Sequence, residues 1–245
     1  QLYPLEATLQ GDNRFNDQLP NDITYEHKEK LKTFYQKYLN ALEDIETKGL
    51  NPDDLVAYET FRYTIISNLE ELKYPTELIP FNQFQGLPLT MGQLGSGEGA
   101  QPFKTMKDYE NWLRRVKYFT VWADSAIANF RNGMSQGYVL PRVLVQKMIP
   151  QMQAMVVEDP TTSLFYGPVN KMPATFTESE QIRVTGMYKK AIVEQIVPTY
   201  KKLGDFLANE YIHRTRVTSG IFDFPDGEVY YQTFVKNWTN TAKNP

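Results

Sequence analysis

The chain has 245 residues, a mass of 28.4 kDa, 41% apolar residues and a net charge of −3, the composition of a folded protein with a sizeable core. No apolar run approaches the roughly 18 residues that cross a bilayer, which excludes a membrane span, and scattered basic residues at pI 5.6 argue against nucleic acid as a partner. With no cysteine and only two histidines, disulfides, thiol catalysis and thiolate metal sites are excluded, and almost nothing is left for a histidine-based centre.

Residues 1–23 are polar and turn-rich and read as an extended lead-in. Gln1-Leu2-Tyr3-Pro4 has no basic start and no apolar run, so it is not itself a signal peptide. A helix is expected over 24–47, with Leu31, Phe34, Tyr35, Tyr38, Leu42 and Ile45 on one face. Asn51 and Pro52 then start a second helix carrying Leu55, Tyr58, Arg62, Ile65, Leu69 and Leu72, ended by Tyr74-Pro75. The short turn between them predicts antiparallel packing. Residues 75–104 lose periodicity and read as a long loop, with room for a short strand or one minor hairpin near Ile79–Phe84. The tract Gly95-Ser96-Gly97-Glu98-Gly99 lacks the Lys-Ser/Thr of a nucleotide loop, so it is read as a flexible or tightly turned loop.

Thr105 to Asp108 open the clearest helix, with Tyr109, Trp112, Leu113, Val116, Phe119, Ala123, Ile127 and Phe130 on one face. Pro141 starts another, with Pro150 as an expected kink. Residues 159–176 read as a second long loop. Thr177 with Glu180 makes a capping-box pattern opening a long helix bent at Pro198, and Pro225-Asp226-Gly227 precede a short last helix. The expected fold class is all-α: one helical domain over 1–245, an irregular bundle with kinked helices and long Gly/Pro-rich loops.

Chemistry is sparse. The histidines, His27 and His213, do not stand one helical turn apart as a His-Glu-x-x-His zinc site requires. Glu210-x-x-His213 has di-iron bundle spacing but no second copy. Asp53-Asp54 are accounted for by a helix N-terminus, and Lys189-Lys190 and Lys201-Lys202 by solvated faces. Aromatic residues are in excess at 13%, which fits either a ring-rich core or an aromatic binding cleft.

Several ordered motifs resemble a bacterial family, domain of unknown function 885. They are Gly11-Asp12-Asn13-Arg14-Phe15-Asn16-Asp17-Gln18-Leu19-Pro20, Phe103 to Tyr109, Gln136 to Arg142, Ile196 to Leu207 with Glu210-Tyr211, and Phe224 to Tyr231. The resemblance covers most of the chain. It implies a mostly helical, zincin-like metallopeptidase (a hydrolase) whose zinc ligands lie in a half beyond the Pro-Asp-Gly-x-x-Tyr-Tyr segment. None of those ligands has a matching position here, so no catalytic residue, metal ligand or cofactor is expected in this chain, and zinc is implied for the parent protein alone. The resemblance thus implies an N-terminal fragment whose partner is its own C-terminal catalytic half and whose substrate is a peptide. It also implies export, as a periplasmic or lipid-anchored lipoprotein with its signal removed, with a cytoplasmic location left open. Tyr230 and Tyr231 are the candidate substrate-cleft residues, since they follow the glycine turn and immediately precede that half. The competing expectation is a helical surface or periplasmic protein that binds peptides or glycans without catalysis.

Overall fold

Capping chemistry sets the helix starts in the computed structural model, which describes residues 2–239 and 241. The helices, in chain order, are α1 (Pro4–Leu9), α2 (Tyr25–Glu43), α3 (Pro52–Glu71), α4 (Leu87–Gly95), α5 (Met106–Gln136), α6 (Arg142–Gln153), α7 (Gly167–Asn170), α8 (Glu178–Ala191), α9 (Val197–Asn209) and α10 (Gly227–Thr239). Thr105 with Asp108, and Thr177 with Glu180, form reciprocal capping boxes at α5 and α8, satisfying backbone N–H groups that the first turn leaves unpaired. Asn51 accepts from the Asp54 amide at the start of α3, where Pro52 loses nothing because its position has no helical acceptor. Gly137, at φ +84°, closes α5 in the left-handed conformation.

The fold is all-α, as the periodicity predicts, and no strand occurs among the described residues. The expected hairpin near Ile79–Phe84 is absent: Asn82 makes a tight turn there, its amide donating to Gln85 O and its side chain accepting from two backbone amides. Extended pairing is confined to an isolated bridge between Pro141 and Arg216. Both long loops contain helix. Residues 87–95 of the first are α4, hidden from sequence by its Pro and Gly content, and short turns plus α7 fill much of the second. The long helix opened by Thr177 breaks at a π-turn, Ile192–Ile196, just before Pro198. Proline supplies no N–H to its i−4 carbonyl, and the wider turn relieves the clash of its ring.

The chain divides into two compact units, residues 1–21 with 78–217 and residues 22–77 with 218–245. The larger has a dense aromatic core along the predicted face of α5. Trp112, Phe119, Trp122 and Phe130 are all buried: Trp122 packs on Phe119, and the other three meet Phe165, Tyr200 and Tyr211 at centroid separations of 4.7–6.5 Å. Buried tyrosines find backbone partners: Tyr109 donates to Pro168 O at 2.9 Å and Tyr200 to Pro88 O at 2.6 Å, while Tyr211 accepts from Leu140 N at 2.9 Å. The glycine tract is a tight turn wedged into this core. A Cβ on Gly95 would lie 2.4 Å from Trp112 Cζ2, and Gly97 has φ +83°.

The segment expected to be an extended lead-in is instead folded. Residues 4–9 form α1, and a short turn, Asn13–Phe15, follows with Asp12 as its cap. Its anchor is Arg115, fully buried on α5, whose guanidinium donates to Pro4 O, Thr8 Oγ1, Phe15 O, Gln18 O and Gln101 Oε1. Burial pulls this guanidinium down to about 10, opposed by the charge of Asp17, so it stays protonated at neutral pH.

In the smaller unit α2 and α3 form the expected hairpin, and α10 runs antiparallel to α3. Tyr74 near the end of α3 meets the start of α10, donating to Val229 O and sharing a hydrogen bond with Thr233 Oγ1, whereas Tyr63 and Glu70 reach Lys236. The faces expected to be buried are largely not. In these three helices only His27, Leu42, Ile65 and Gly227 are buried.

Candidate functional site: the aromatic face of the smaller unit

Three helices of this length bury an apolar stripe only if each has two neighbours. Here the supply of apolar side chains exceeds what the three can cover. Among the described residues, twelve large apolar side chains of the smaller unit are exposed, against eleven in a larger unit of about twice the length, so exposure is concentrated in the smaller one. On α2 and α3, Phe34 packs on Tyr38 at 4.8 Å and Tyr38 on Phe61 at 6.4 Å, with all three rings still exposed. Along α10 the spacing of four residues lines up Tyr230, Phe234 and Trp238, with successive centroids 6.1 Å apart. Exposure rises along this stripe from half-buried Tyr230 to 41% at Phe234 and 76% at Trp238.

The two sequence-predicted residues lie on α10 but in different surroundings. Tyr230 sits against Tyr74, with ring centroids 4.8 Å apart, and its phenol is raised above the usual range by burial and then by the nearby Glu71 and Tyr74. Tyr231, about 100° further round the helix, packs on Phe222 at 5.1 Å. The fold therefore brings Tyr230 together with Tyr74 and Phe234, and Tyr231 with Phe222, in two separate ring contacts. From the sequence, Phe234 and Trp238 share the last helix with the two tyrosines, and an apolar patch beside Trp238 is what an inter-domain role would expose. The signal was present in the four-residue spacing, but periodicity cannot distinguish a covered face from a bare one.

The remaining candidates are occupied elsewhere. Glu210 takes a bidentate hydrogen bond from Arg131 at 2.8 and 2.7 Å, which holds its carboxyl below the usual range, and His213 is exposed one turn on. His27 is buried at the start of α2, and burial pulls its imidazole down. Among the described residues no three His, Asp or Glu side chains converge to hold a metal ion, and no helix is long and apolar enough to cross a membrane. Asp53 and Asp54 lie in the first turn of α3, as expected of carboxylates at a helix N-terminus.

Fold and surface together define an all-α protein with one well-packed unit and one whose helices present a bare aromatic face. Residues 4–245 match the family described as "Bacterial protein of unknown function (DUF885)", and the chain belongs to that family. Its fold is similar to a crystal structure described as "the putative lipoprotein from Colwellia psychrerythraea", with a TM-score of 0.79 over 98% of this chain at 16% identity. The match takes in 43% of that protein, so the chain spans less than half the length of this relative. No curated protein shows significant similarity to the chain.

Proposed function

We propose that this chain is the non-catalytic helical part of a longer exported hydrolase of the zinc-peptidase type. In this reading the aromatic face of the smaller unit packs on the remainder of the protein, and the chain supplies one wall of a cleft for a peptide substrate. The observation that carries the docking role is the bare face itself. A row of exposed rings such as Phe234 and Trp238 on α10 marks an interaction site, because leaving it in water forgoes about 25 cal/mol for each Å². The chain's coverage of less than half of its relative supports the same reading. The reading puts the metal, and the chemistry of polarising a peptide carbonyl, in the remainder of the protein; among the described residues no ligand set for zinc converges. What the chain supplies is positioning. A helical wall carrying Tyr230 and Tyr231 would orient an extended peptide, and a phenol there would donate to a developing oxyanion.

A glycan-binding surface is less well supported by the same face. Sugar recognition needs flat rings edged by polar groups, whereas eight of the twelve exposed side chains are Phe, Ile, Leu or Val with no polar atom.

Hydroxyl-radical footprinting read by mass spectrometry tests the docking role at single residues. Phe234 and Trp238 should oxidise about tenfold more slowly in the full-length gene product than in this chain by itself, as expected for groups at the centre of an interface. Equal rates would overturn the reading. The cleft role is separate: Tyr230→Phe and Tyr231→Phe in the full-length protein should each lower peptidase turnover, and unchanged rates for both would remove it.

A further inference from the structure

The charges around the aromatic face are not balanced. Helix α3 and residues 221–239 together carry eight acids and only two bases, Arg62 and Lys236. Helix α2, in the same unit, carries three acids and four lysines. The acid surplus therefore lies on α3 and α10, with the Phe234–Trp238 stripe, and not on the opposite arm of the hairpin. Of the two bases, Lys236 is taken by Glu70 at 3.2 Å. Antiparallel pairing carries the end of α10 toward the first turns of α3, where Asp53, Asp54 and Glu59 are exposed beside exposed Leu55 and Val56. Two further acids, Asp223 and Glu228, flank exposed Phe222 and Val229 at the other end.

We infer that the surface covering α3 and α10 is apolar at its centre and cationic at its rim. This rests on the docking reading above and specifies its partner: a Lys/Arg-bordered apolar face in the remainder of the same protein. The physical reason is the cost of desolvation. Covering the rings strips water from the carboxylates around them, and a carboxylate that loses water without gaining a cation is strongly penalised. A neutral or acidic cover would bury the rings at that cost, whereas a cationic rim converts acids such as Glu59 and Glu228 into cross-interface pairs. Such pairs act mainly on register and partner choice, while the rings supply most of the affinity.

The test uses the full-length protein and the same footprinting readout at Trp238. Charge reversal on the face, Glu59→Lys together with Glu228→Lys, should raise the oxidation rate of Trp238 several-fold, toward that of this chain by itself. The charge-neutral Glu59→Gln with Glu228→Gln should raise it less. Reversal on α2 (Glu26→Lys with Glu29→Lys) should leave it unchanged, which controls for a general change in net charge. Raising the salt should expose Trp238 moderately in the unaltered protein and, by screening the introduced repulsion, partly restore its shielding in the reversed one. If Trp238 is already reactive in the unaltered full-length protein, the docking reading itself fails. If it is shielded but indifferent to both face reversal and salt, docking stands and the cationic rim is refuted. Circular dichroism of the variants in this shorter chain, where no cover is present, should show unchanged helix content.

Discussion

Arg115 offers the sharpest test of how the larger unit is held together. Replacing it by Met keeps much of the volume of the stem and removes five hydrogen bonds. Not all five acceptors are stranded. Pro4 O still accepts from the Thr8 hydroxyl, and Phe15 O from the Gln18 amide. Gln101 Oε1 loses its buried donor, and a stranded buried acceptor costs about 1–3 kcal/mol, whereas Gln18 is exposed and its carbonyl only part-buried. Lost charge-assisted bonds to the other acceptors add to this and removing a buried cation offsets part of it, so the net loss should be about 1–3 kcal/mol. That is an appreciable share of a typical 5–15 kcal/mol stability, and it should fall on the N-terminal arm, residues 3–18, before the rest of the unit. Hydrogen exchange of peptides spanning residues 3–18, with urea unfolding at pH 7, measures both. The arm should lose most of its protection in the Met variant. Arg115→Lys should recover less than half the loss, because an ammonium has three donors and cannot span acceptors on four sides. A Met variant that loses less than about 1 kcal/mol and keeps arm protection would refute the assignment of Arg115 as the arm's anchor.

Two further outcomes follow from the same geometry. His27 is buried in the first turn of α2, and burial holds its imidazole below the ordinary 6.5, with Asp22 opposing and Lys30 adding to the shift. Between the folded value and 6.5 the unfolded chain binds more protons, so the stability of the smaller unit should fall as pH drops through that window. His27→Gln should flatten the profile, and equal slopes in the two proteins would dismiss the histidine as the cause. In α5, a Cβ on Gly133 would lie 2.7 Å from Tyr138 O and 2.8 Å from Leu78 O, both backbone atoms that cannot swing aside. Gly133→Ala should therefore cost about 1–3 kcal/mol in urea unfolding despite alanine's better helix propensity, and a neutral or stabilising result would refute the close approach.

Local chemistry was readable from the chain wherever a signal lies within a few residues. Thr105 with Asp108, Thr177 with Glu180, and Asn51 with Pro52 mark helix starts because caps act over one turn. The apolar face of α5 was equally plain, since Tyr109, Trp112, Phe119 and Phe130 recur at helical spacing and are buried. Helix α4 was not readable: Gly92 and Gly95 oppose helix locally and tertiary packing overrides them, while Pro88, harmless in the first turn, reads as loop without a cap beside it. The arm was hidden for a related reason. All but one of its acceptors, the Thr8 hydroxyl, are backbone carbonyls, invisible in residue types, and their donor is an arginine about 100 residues away that polarity alone would place in solvent.

The aromatic excess marks the boundary between what sequence and tertiary structure decide. Composition and spacing established that this is an all-helical protein rich in rings and poor in catalytic groups, because those properties reside in single residues and single turns. The same four-residue spacing produces Trp112 in a dense core and Trp238 at 76% exposure. Burial depends on how many neighbours the chain brings to a face, and that number is set by contacts far apart in sequence. Only the tertiary structure separated the rings that hold the larger unit together from those that the smaller unit leaves for another surface.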